Sequence, residues 1–318
     1  MQKKFDAVCV GTCLLDISTT GMQFDTFLHT EPNLAEKITF CPGGDAVNEA
    51  IVLHRLGHSV ALMSRVGDDF VGRFLLETAA EEGLETGAVR IVSDCPTEVN
   101  NILIGENDQR VYTISRNATS RTQFCEEDLD YELVAQARLV AFGSIFVHEK
   151  FDGPALEKLF RTAKEHGAIT CADVGPTQES CSLEPMKQAM PYLDYFFAND
   201  REAALLSGKV DIEAVADYFL SLGIGTVIIK SGAKGSLIKN AQERIEQCPF
   251  YVEPVDTTGA GDNYAAGFMS GLLRGLPLAA CAKFASATGA LAVGCVGATA
   301  GVKSAAQVEA FLADREKK

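Results

Sequence analysis

The residues best placed to do chemistry lie in the string DTTGAGDNYAAGFM, residues 256–269. Gly259, Ala260 and Gly261 are small enough to let a ligand approach the backbone, and the apolar residues after them recur at helical spacing. A loop of small residues that leads into a helix directs free N–H groups at one point, where the helix dipole attracts anions. Asp262 adds a carboxylate there, within reach of a hydroxyl that attacks a bound phosphate.

An ordinary explanation of Asp262 is a helix N-cap, because Asp is common at helix starts. The complete string is far more specific, and it resembles the C-terminal signature of the PfkB, or ribokinase-like, family of carbohydrate kinases. The resemblance implies that Gly259, Ala260 and Gly261 form the anion hole for the transferred phosphoryl group. It also implies that Asp262 is the general base.

A second glycine-rich string, PGGDAVN, leads into a predicted helix at residues 46–56. Alone it could be a turn with a helix cap. It is similar to the family's N-terminal signature, which implies that Gly43, Gly44 and Asn48 contact sugar hydroxyls. Asp16 has the spacing of the family aspartate that accepts hydrogen bonds from the substrate, and its alternative is a solvated loop carboxylate. A buried hydroxyl needs such an acceptor, because leaving it unpaired is costly.

Two polar residues follow the predicted strand 195–197 and open a helix. Asn199 and Glu202 could form a capping box, in which each side chain bonds the other residue's backbone N–H. They also match the family's N-x-x-E motif, which implies that they hold Mg²⁺, mostly through water. Oxygen ligands and retained waters suit this ion.

The predicted strand 226–230 ends in the string KSGAKG, whose glycines let the chain turn beneath a nucleotide. The alternative is a plain hairpin turn. The string resembles the family's K-x-G-x-x-G turn, and the resemblance implies that Lys230, Gly232 and Gly235, together with Thr257, bind ATP. The chain has no Walker A motif.

One departure from the family concerns the nucleotide phosphates. Many relatives have an Asp that is followed shortly by Asn and by an Arg that reaches toward them. Here Asp173 is followed by Val174, Gly175, Pro176 and Thr177, so the Arg is absent. Phosphate neutralisation then falls to Mg²⁺, the anion hole and a lysine.

The loop GCVGATAG, residues 294–301, follows a predicted helix at 278–293. In many relatives this loop gives backbone carbonyls to a monovalent cation, together with the Asp and the second Thr of the C-terminal signature. The resemblance therefore implies a K⁺ site. Its ligands would be Asp256, Thr258, Ala292, Cys295 and Gly297.

The elements that must position these residues alternate regularly between strand and helix. Predicted strands lie at 7–11, 60–64, 139–142, 169–172, 195–197 and 226–230, with helices between them, so we expect a parallel sheet flanked by helices. Residues 14–40 and 97–116 instead alternate polar and apolar residues, the second with a hairpin turn at 105–108. We predict one α/β domain, residues 1–318, with a small β lid. The family resemblance implies the same fold.

Composition excludes several classes of function. The 318 residues carry a net charge of −15 and are 47% hydrophobic, which argues against nucleic acid or an anionic membrane as a partner. No apolar run is long enough to span a membrane. The ten cysteines include no C-x-x-C pair and indicate reduced thiols in a cytoplasmic protein.

These observations favour an ATP-dependent kinase that acts on a sugar or sugar-acid hydroxyl. The segment at 106–116 is similar to the lid of fructokinases and 2-keto-3-deoxygluconate kinases, where an Arg near Arg116 is frequent, whereas ribokinases tend to lack it. Arg116 could equally be a surface residue. The alternatives are a nucleoside kinase and a nonenzymatic sensor. Because the lid has an apolar face and no core of its own to cover, we predict a homodimer through the lids.

Overall fold

The computed structural model describes residues 3–29, 31–105, 109–151, 153–175 and 181–315. Most strands form where short apolar runs are buried on both faces, as β8 illustrates with eight of its nine residues buried. The strands, in chain order, are β1 (Phe5–Val10), β2 (Leu14–Met22), β3 (Lys37–Gly43), β4 (Val60–Gly67), β5 (Glu85–Val92), β6 (Val99–Gly105), β7 (Arg110–Ile114), β8 (Ala137–Ile145), β9 (Ile169–Val174), β10 (Tyr195–Asn199), β11 (Thr226–Lys230), β12 (Ser236–Asn240) and β13 (Arg244–Gln247).

Most helices begin after a short polar residue or a glycine. In α2, for example, the Asp69 carboxylate accepts a hydrogen bond from the Gly72 N–H at 2.7 Å, which satisfies one of the free donors of the first turn. The helices are α1 (Asp45–Arg55), α2 (Phe70–Glu81), α3 (Tyr131–Ala135), α4 (Gly153–Glu165), α5 (Asp200–Ser207), α6 (Ile212–Ser221), α7 (Ala260–Leu273), α8 (Leu278–Val293) and α9 (Ala305–Arg315).

The main sheet has the strand order β13-β12-β11-β10-β9-β8-β1-β4-β5. The seven strands from β11 to β5 run parallel, and β12 and β13 extend one edge as an antiparallel hairpin. Alternate residues of the strands enter two separate cores, one with α1, α7 and α8 and the other with α4 and α6. The sheet therefore carries helices on both faces, and the carboxyl ends of β9, β10 and β11 meet at one edge.

A second, smaller sheet with the order β3-β2-β6-β7 forms the lid. Its register places Asp16, Asn100 and Ile114 side by side on one face, and Ile17, Phe40 and Asn101 on the other. The face that carries Asp16 also carries Arg110, which contacts the C-terminal signature. We call it the inner face of the lid, and the face that carries Phe40 the outer face.

The predicted fold class is confirmed: a mostly parallel sheet flanked by helices with a small β lid. The helix 278–293 and the strand 226–230 have the predicted bounds, whereas β5, β12, β13 and α9 were not predicted. Of the lid turn predicted at 105–108, residues 106–108 lie outside the described part of the chain, as do Pro176 and Thr177. That residues 1–318 form one domain stays a prediction. None of the described helices combines the length and apolarity needed to cross a membrane.

Candidate active site

The candidate site is a cavity of about 770 Å³ at the carboxyl ends of the parallel strands. Asp173 at the end of β9, Asn199 at the end of β10 and Lys230 at the end of β11 line it. The first turn of α7 forms the opposite wall, with Gly261 and Asp262. Ligands of open α/β sheets bind at this edge, because strand ends and helix N-termini converge there.

In the C-terminal signature, Gly259 is the N-cap residue of α7. Gly259 has a φ of 71°, and a Cβ there would lie 2.5 Å from the Ala298 carbonyl, so only glycine fits. The first helical hydrogen bond runs from the Asn263 N–H to the Gly259 carbonyl. The Ala260 N–H, predicted to belong to the anion hole, instead donates to the Thr257 carbonyl at 3.2 Å, so among the described residues the N–H groups of Gly259 and Gly261 remain for a ligand. The buried Asn263 amide also donates to the Ala298 carbonyl at 2.6 Å and holds this loop against the one at 294–301.

Asp262 contacts Asn48, a residue of the N-terminal signature that is distant in the sequence. The Asn48 Nδ2 donates to the Asp262 Oδ2 at 2.7 Å, because α1 and α7 pack side by side. Burial raises the pKa of Asp262 above its ordinary value, and the negative charge of Asp173 adds to this, against the effects of Asn48 and Lys230. A carboxylate with a raised pKa is a stronger proton acceptor than an exposed one, as a general base requires.

Lys230 stands between this carboxylate and a buried partner. Its ammonium donates to the Asp173 Oδ2 at 2.5 Å, and a Cβ built on Gly261 would lie 3.2 Å from the Lys230 Nζ. The lysine therefore reaches the start of α7 and supplies a positive charge beside the helix N-terminus. Sequence reasoning assigned Lys230 to ATP but missed its pairing with Asp173.

Two more acidic side chains surround this lysine and were also missed. Asp45 lines the cavity and accepts a hydrogen bond from the Ser144 hydroxyl at 2.5 Å, and Glu49 is buried next to it along α1. Burial raises the pKa of both well above the ordinary value, and the neighbouring carboxylates, Asp262 and Asp173 among them, raise it further. Their signal in the sequence is the spacing within DAVNE, because residues four apart lie on one side of a helix.

The predicted sugar contacts lie where the lid meets α1. The Asp16 carboxylate accepts a hydrogen bond from Asn100 at 3.2 Å, and a Cβ at Gly43 would overlap its Oδ2. Gly44, with a φ of 98°, directly precedes α1, and a Cβ there would lie 2.5 Å from the Thr12 carbonyl. Burial raises the pKa of Asp16 to about 6, while the hydrogen bond from Asn100 opposes the rise. The strand pairing thus presents Asp16 on the inner face near Asn48 and Asp262.

Asn199 and Glu202, the predicted Mg²⁺ residues, form the capping box that was the alternative explanation of this motif. The Asn199 Oδ1 accepts from the Glu202 N–H at 2.8 Å, and the Glu202 Oε2 accepts from the Asn199 N–H at 2.9 Å. Both residues line the cavity, and burial raises the pKa of Glu202 to about 7 despite the bond from Asn199 and the charge of Lys230. Among the described residues, no group of three or more His, Cys, Asp or Glu could hold a metal directly. The remaining oxygen of Glu202 fits an ion held through water.

The far part of the cavity is mostly apolar and suits a nucleotide base. The predicted ATP residues Gly232, Gly235 and Thr257 lie on its wall with Lys230. Gly235 has a φ of 94°, and a Cβ there would overlap the Gln247 carbonyl, so only glycine fits. The apolar wall comes from Pro249, Phe250, Tyr251, Val252, Pro254, Ala290 and Val293.

The predicted K⁺ ligands lie together but already have a cationic neighbour. The Asp256 Oδ2 accepts from the Gly297 N–H at 2.9 Å, and its Oδ1 accepts from the Thr258 hydroxyl at 2.7 Å. Arg110 of the lid donates to the same Asp256 Oδ1 at 3.2 Å and to the Thr258 hydroxyl at 3.0 Å. The carbonyls expected as ligands accept backbone bonds: that of Ala292 from the Cys295 N–H, and that of Gly297 from the Ala300 N–H.

Arg116 lies elsewhere. Its side chain is exposed just beyond the end of β7, where the structure brings it into no hydrogen bond or ion pair with the described residues. The lid arginine that reaches the candidate site is Arg110, six residues earlier. Sequence reasoning missed Arg110, and the alternation of β7 was the available signal, since even-numbered residues of this strand share the inner face.

Comparison with known proteins gives a consistent result over the whole chain. Residues 4–305 match the PfkB family, described as pfkB family carbohydrate kinase. The ribokinase of Bacillus subtilis is 26% identical over 96% of this chain and 99% of its own length. The 2-dehydro-3-deoxygluconokinase of the same organism is 30% identical over 94% of this chain and 95% of its own length.

Solved structures share the fold. The Arabidopsis thaliana ribokinase complexed with ribose and ATP superposes with a TM-score of 0.82 at 22% identity, covering 98% of this chain and 99% of its own. A putative ribokinase II from E. coli in complex with ATP and Mg²⁺ also gives 0.82, at 21% identity, covering 99% of this chain and 100% of its own. From the family match, the extent of the related sequences and the shared fold, this chain belongs to the PfkB family and is a carbohydrate kinase.

Proposed function

We propose that this kinase transfers the γ-phosphoryl group of ATP to a hydroxyl of a sugar or sugar acid, with Asp262 as the base. The observation that carries the proposal is the contact of Asp262 with Asn48 beside Lys230 and the start of α7. A proton acceptor, a hydroxyl-binding amide and a cationic anion site thus converge at one end of a cavity large enough for a nucleotide. Phosphoryl transfer needs these three groups together.

In the proposed reaction the substrate hydroxyl attacks the γ-phosphorus in line. A bond forms from the hydroxyl oxygen to the phosphorus as the bond to the bridging oxygen of ADP breaks, and Asp262 takes the proton. The N–H groups at Gly259 and Gly261 and the Lys230 ammonium stabilise the charge on the transferred group. Ala260, whose N–H bonds the Thr257 carbonyl, is small enough to let the phosphate approach. Mg²⁺, when bound through water by Asn199 and Glu202, neutralises phosphate charge.

The proposed sugar site lies between the inner face of the lid and α1. Asp16, Asn48 and Asn100 offer carboxylate and amide groups, and the backbone at Gly43 and Gly44 allows close approach. These groups suit several hydroxyls on a neutral sugar such as ribose or fructose. A sugar acid requires a cation in addition, and Arg116 fills that role if the lid carries it inward on closing.

We also propose that the lid closes over the sugar and excludes water. A kinase that admits water to the γ-phosphate becomes an ATPase, so a cover is required. Inner-face side chains Tyr112 and Ile114 are 55% and 44% exposed, and they are available to cover a bound substrate. Rapid ATP hydrolysis without sugar, as fast as sugar phosphorylation, would contradict this closure.

The dimer is proposed through the outer face of the lid. Ile38 and Phe40 are 57% and 58% exposed there, and Val111 of β7 lies on the same face. An apolar sheet face of this kind is usually covered by a partner. The use of ATP and the ten free cysteines support action in the cytoplasm.

The site around Asp256 and Thr258 is proposed to hold one positive charge next to the anion hole. K⁺ is one candidate, with the backbone carbonyls of Ala292, Cys295 and Gly297 completing its shell. The fit is incomplete as the chain stands, because the guanidinium of Arg110 already bonds Asp256 and Thr258. No step of the proposed reaction depends on K⁺.

The test is a screen for ADP formation with ATP, Mg²⁺ and a panel of ribose, fructose, 2-keto-3-deoxygluconate and nucleosides. We expect one sugar or sugar acid to give the highest kcat/KM. A nucleoside kinase is the second candidate, favoured by the exposed Tyr112 on the inner face, on which a base could stack. Binding of a sugar by calorimetry with no ADP from any compound would contradict the proposal and favour the sensor alternative.

A further inference from the structure

Arg110 connects the lid to the loop before α7. Arg110 stands on β7, in the cross-strand row Lys37–Thr20–Ile104–Arg110 of the lid sheet. Its guanidinium donates to the Asp256 Oδ1 at 3.2 Å and to the Thr258 hydroxyl at 3.0 Å. The exposed fractions of the Arg110 and Asp256 side chains are only 17% and 7%. The pair is therefore shielded from water, and its attraction is screened less than that of a surface ion pair.

Asp256 in turn holds two loops together. One of its oxygens accepts the Gly297 N–H at 2.9 Å, and the other accepts the Thr258 N–H at 3.0 Å. Gly259 follows directly, and its N–H and that of Gly261 belong to the proposed anion hole. Burial alone would raise the pKa of Asp256, but the N–H donors of Gly297 and Thr258, the Thr258 hydroxyl and Arg110 outweigh it and lower the pKa, so the anionic carboxylate is favoured.

We infer that Arg110 is the built-in cation of this site and a positioning residue for the anion-hole loop. It occupies the two side-chain oxygens that a monovalent cation would use, so the charge of Asp256 is neutralised by the chain itself. Since Arg110 belongs to the lid, the neutralisation depends on the lid lying against the C-terminal signature. Arg110 therefore couples the position of the lid, which covers the sugar site, to the geometry of the anion-hole loop. The inference rests on the proposed kinase function.

The consequence is that the native enzyme works without added alkali cations, whereas loss of the guanidinium opens a place for K⁺. Arg110→Met keeps most of the side-chain volume and removes the charge. Arg110→Lys keeps a charge but loses the planar fork that contacts two oxygens at once. Lys37→Met is the matched control, because Lys37 is an exposed cation at the other end of the same cross-strand row.

The experiment measures kcat and KM for the best sugar at constant ionic strength, with tetramethylammonium replacing K⁺. Wild type and Lys37→Met should respond to K⁺ hardly at all. Arg110→Met should lose about 10-fold in kcat without K⁺, because the guanidinium bonds to Asp256 and Thr258 are lost, and K⁺ should restore most of it. Arg110→Lys should fall between wild type and Arg110→Met.

Thermal unfolding of the free protein gives a second readout that needs no activity. K⁺ should raise the Tm of Arg110→Met and leave that of wild type unchanged, relative to tetramethylammonium. Equal K⁺ dependence of wild type and Arg110→Met, or a loss in Arg110→Met that no alkali cation restores, would overturn the inference. A wild type without sugar-dependent ADP formation would instead contradict the proposed function, so the two failures are distinguishable.

Discussion

At one end of the candidate site the charged residues stand on the carboxyl ends of core strands and on α7, whereas at the other end they stand on the lid. We call these the core end, with Asp262, Lys230 and Asp173, and the lid end, with Asp16 and Arg110. The core end is held on several sides by the main sheet and two packed helices. The lid end depends on a four-stranded sheet with exposed side chains on its inner and outer faces.

This difference suggests a division of work. Groups that must keep a fixed geometry during phosphoryl transfer are placed where packing leaves them little freedom. The groups proposed to select the substrate lie on the lid, which we propose closes over the sugar and whose residues can change at little cost to the core. Substitutions at the core end should therefore lower kcat strongly, while substitutions at the lid end should change substrate binding, cation dependence or assembly.

The largest effect is expected at Asp262. Asp262→Asn keeps the size of the side chain but removes the proton acceptor, so kcat should fall by about 10²–10⁴-fold. The Kd values for sugar and ATP should stay near those of wild type, because the fold and the other contacts persist. Steady-state kinetics and calorimetry measure the two quantities, and turnover near that of wild type would remove Asp262 from the mechanism.

The Lys230–Asp173 pair tests whether the core end contributes to chemistry as well as to stability. Lys230→Met leaves Asp173 buried without its partner, so the free energy of unfolding should fall by about 3–5 kcal/mol. Adding Asp173→Asn removes the orphaned charge and should restore most of that stability.

Activity separates the two roles of this pair. If the lysine stabilises the transferred phosphoryl group, kcat should stay about 10²-fold low in the double variant as well as in Lys230→Met. Denaturant unfolding and kinetics on the same preparations check both. A double variant with full activity would show that Lys230 only neutralises Asp173.

Most of the helices and strands around the site could be predicted from the sequence, but some could not. The Gly259–Asp262 turn and the helix that follows it have strong local signals, and β11 and α8 were predicted to the residue. The hairpin β12–β13 was missed because its strands are short and partly polar, which periodicity does not distinguish from a loop.

The contacts within the site were harder to predict from the sequence than the helices and strands that carry them. Asn48 and Asp262 are 214 residues apart, and Arg110 and Asp256 are 146 apart. The first pair meets because α1 packs against α7, and the second because the lid lies against the loop before α7. No local sequence pattern encodes either contact. The capping box at Asn199 and Glu202 was foreseen as an alternative, and it is present together with a place on the cavity wall.

A smaller effect is expected at the lid end from the ionisation of Asp16. Its pKa is raised to about 6, so the carboxylate is ionised above that pH and becomes protonated as the pH falls through it. An ionised Asp16 accepts hydrogen bonds from hydroxyls, so sugar binding should strengthen as the pH rises through 6. We expect the sugar Kd to be roughly 10-fold weaker at pH 5 than at pH 7.5.

The control for this pH dependence is Asp16→Asn, which cannot ionise. Its sugar Kd should be weaker than that of wild type at pH 7.5 and nearly independent of pH between 5 and 7.5. Calorimetry without ATP keeps the proton transfer at Asp262 out of the measurement. If Asp16→Asn kept the full pH dependence of wild type, another group would have to be responsible.

The smallest effect on catalysis, and the sharpest test of the outer face, is expected from Phe40→Glu. Phe40 is 58% exposed beside Ile38, and a carboxylate in the middle of an apolar interface would have to be desolvated without a partner. Sedimentation should show wild type as a dimer at micromolar concentration and Phe40→Glu as a monomer, with kcat changed little because the inner face is intact. Val210→Glu adds the same charge at a 97% exposed apolar residue between α5 and α6, away from the lid, and should stay dimeric. A wild type that is monomeric and fully active would rule out the lid dimer, and the outer face would then need another explanation for its exposed apolar residues.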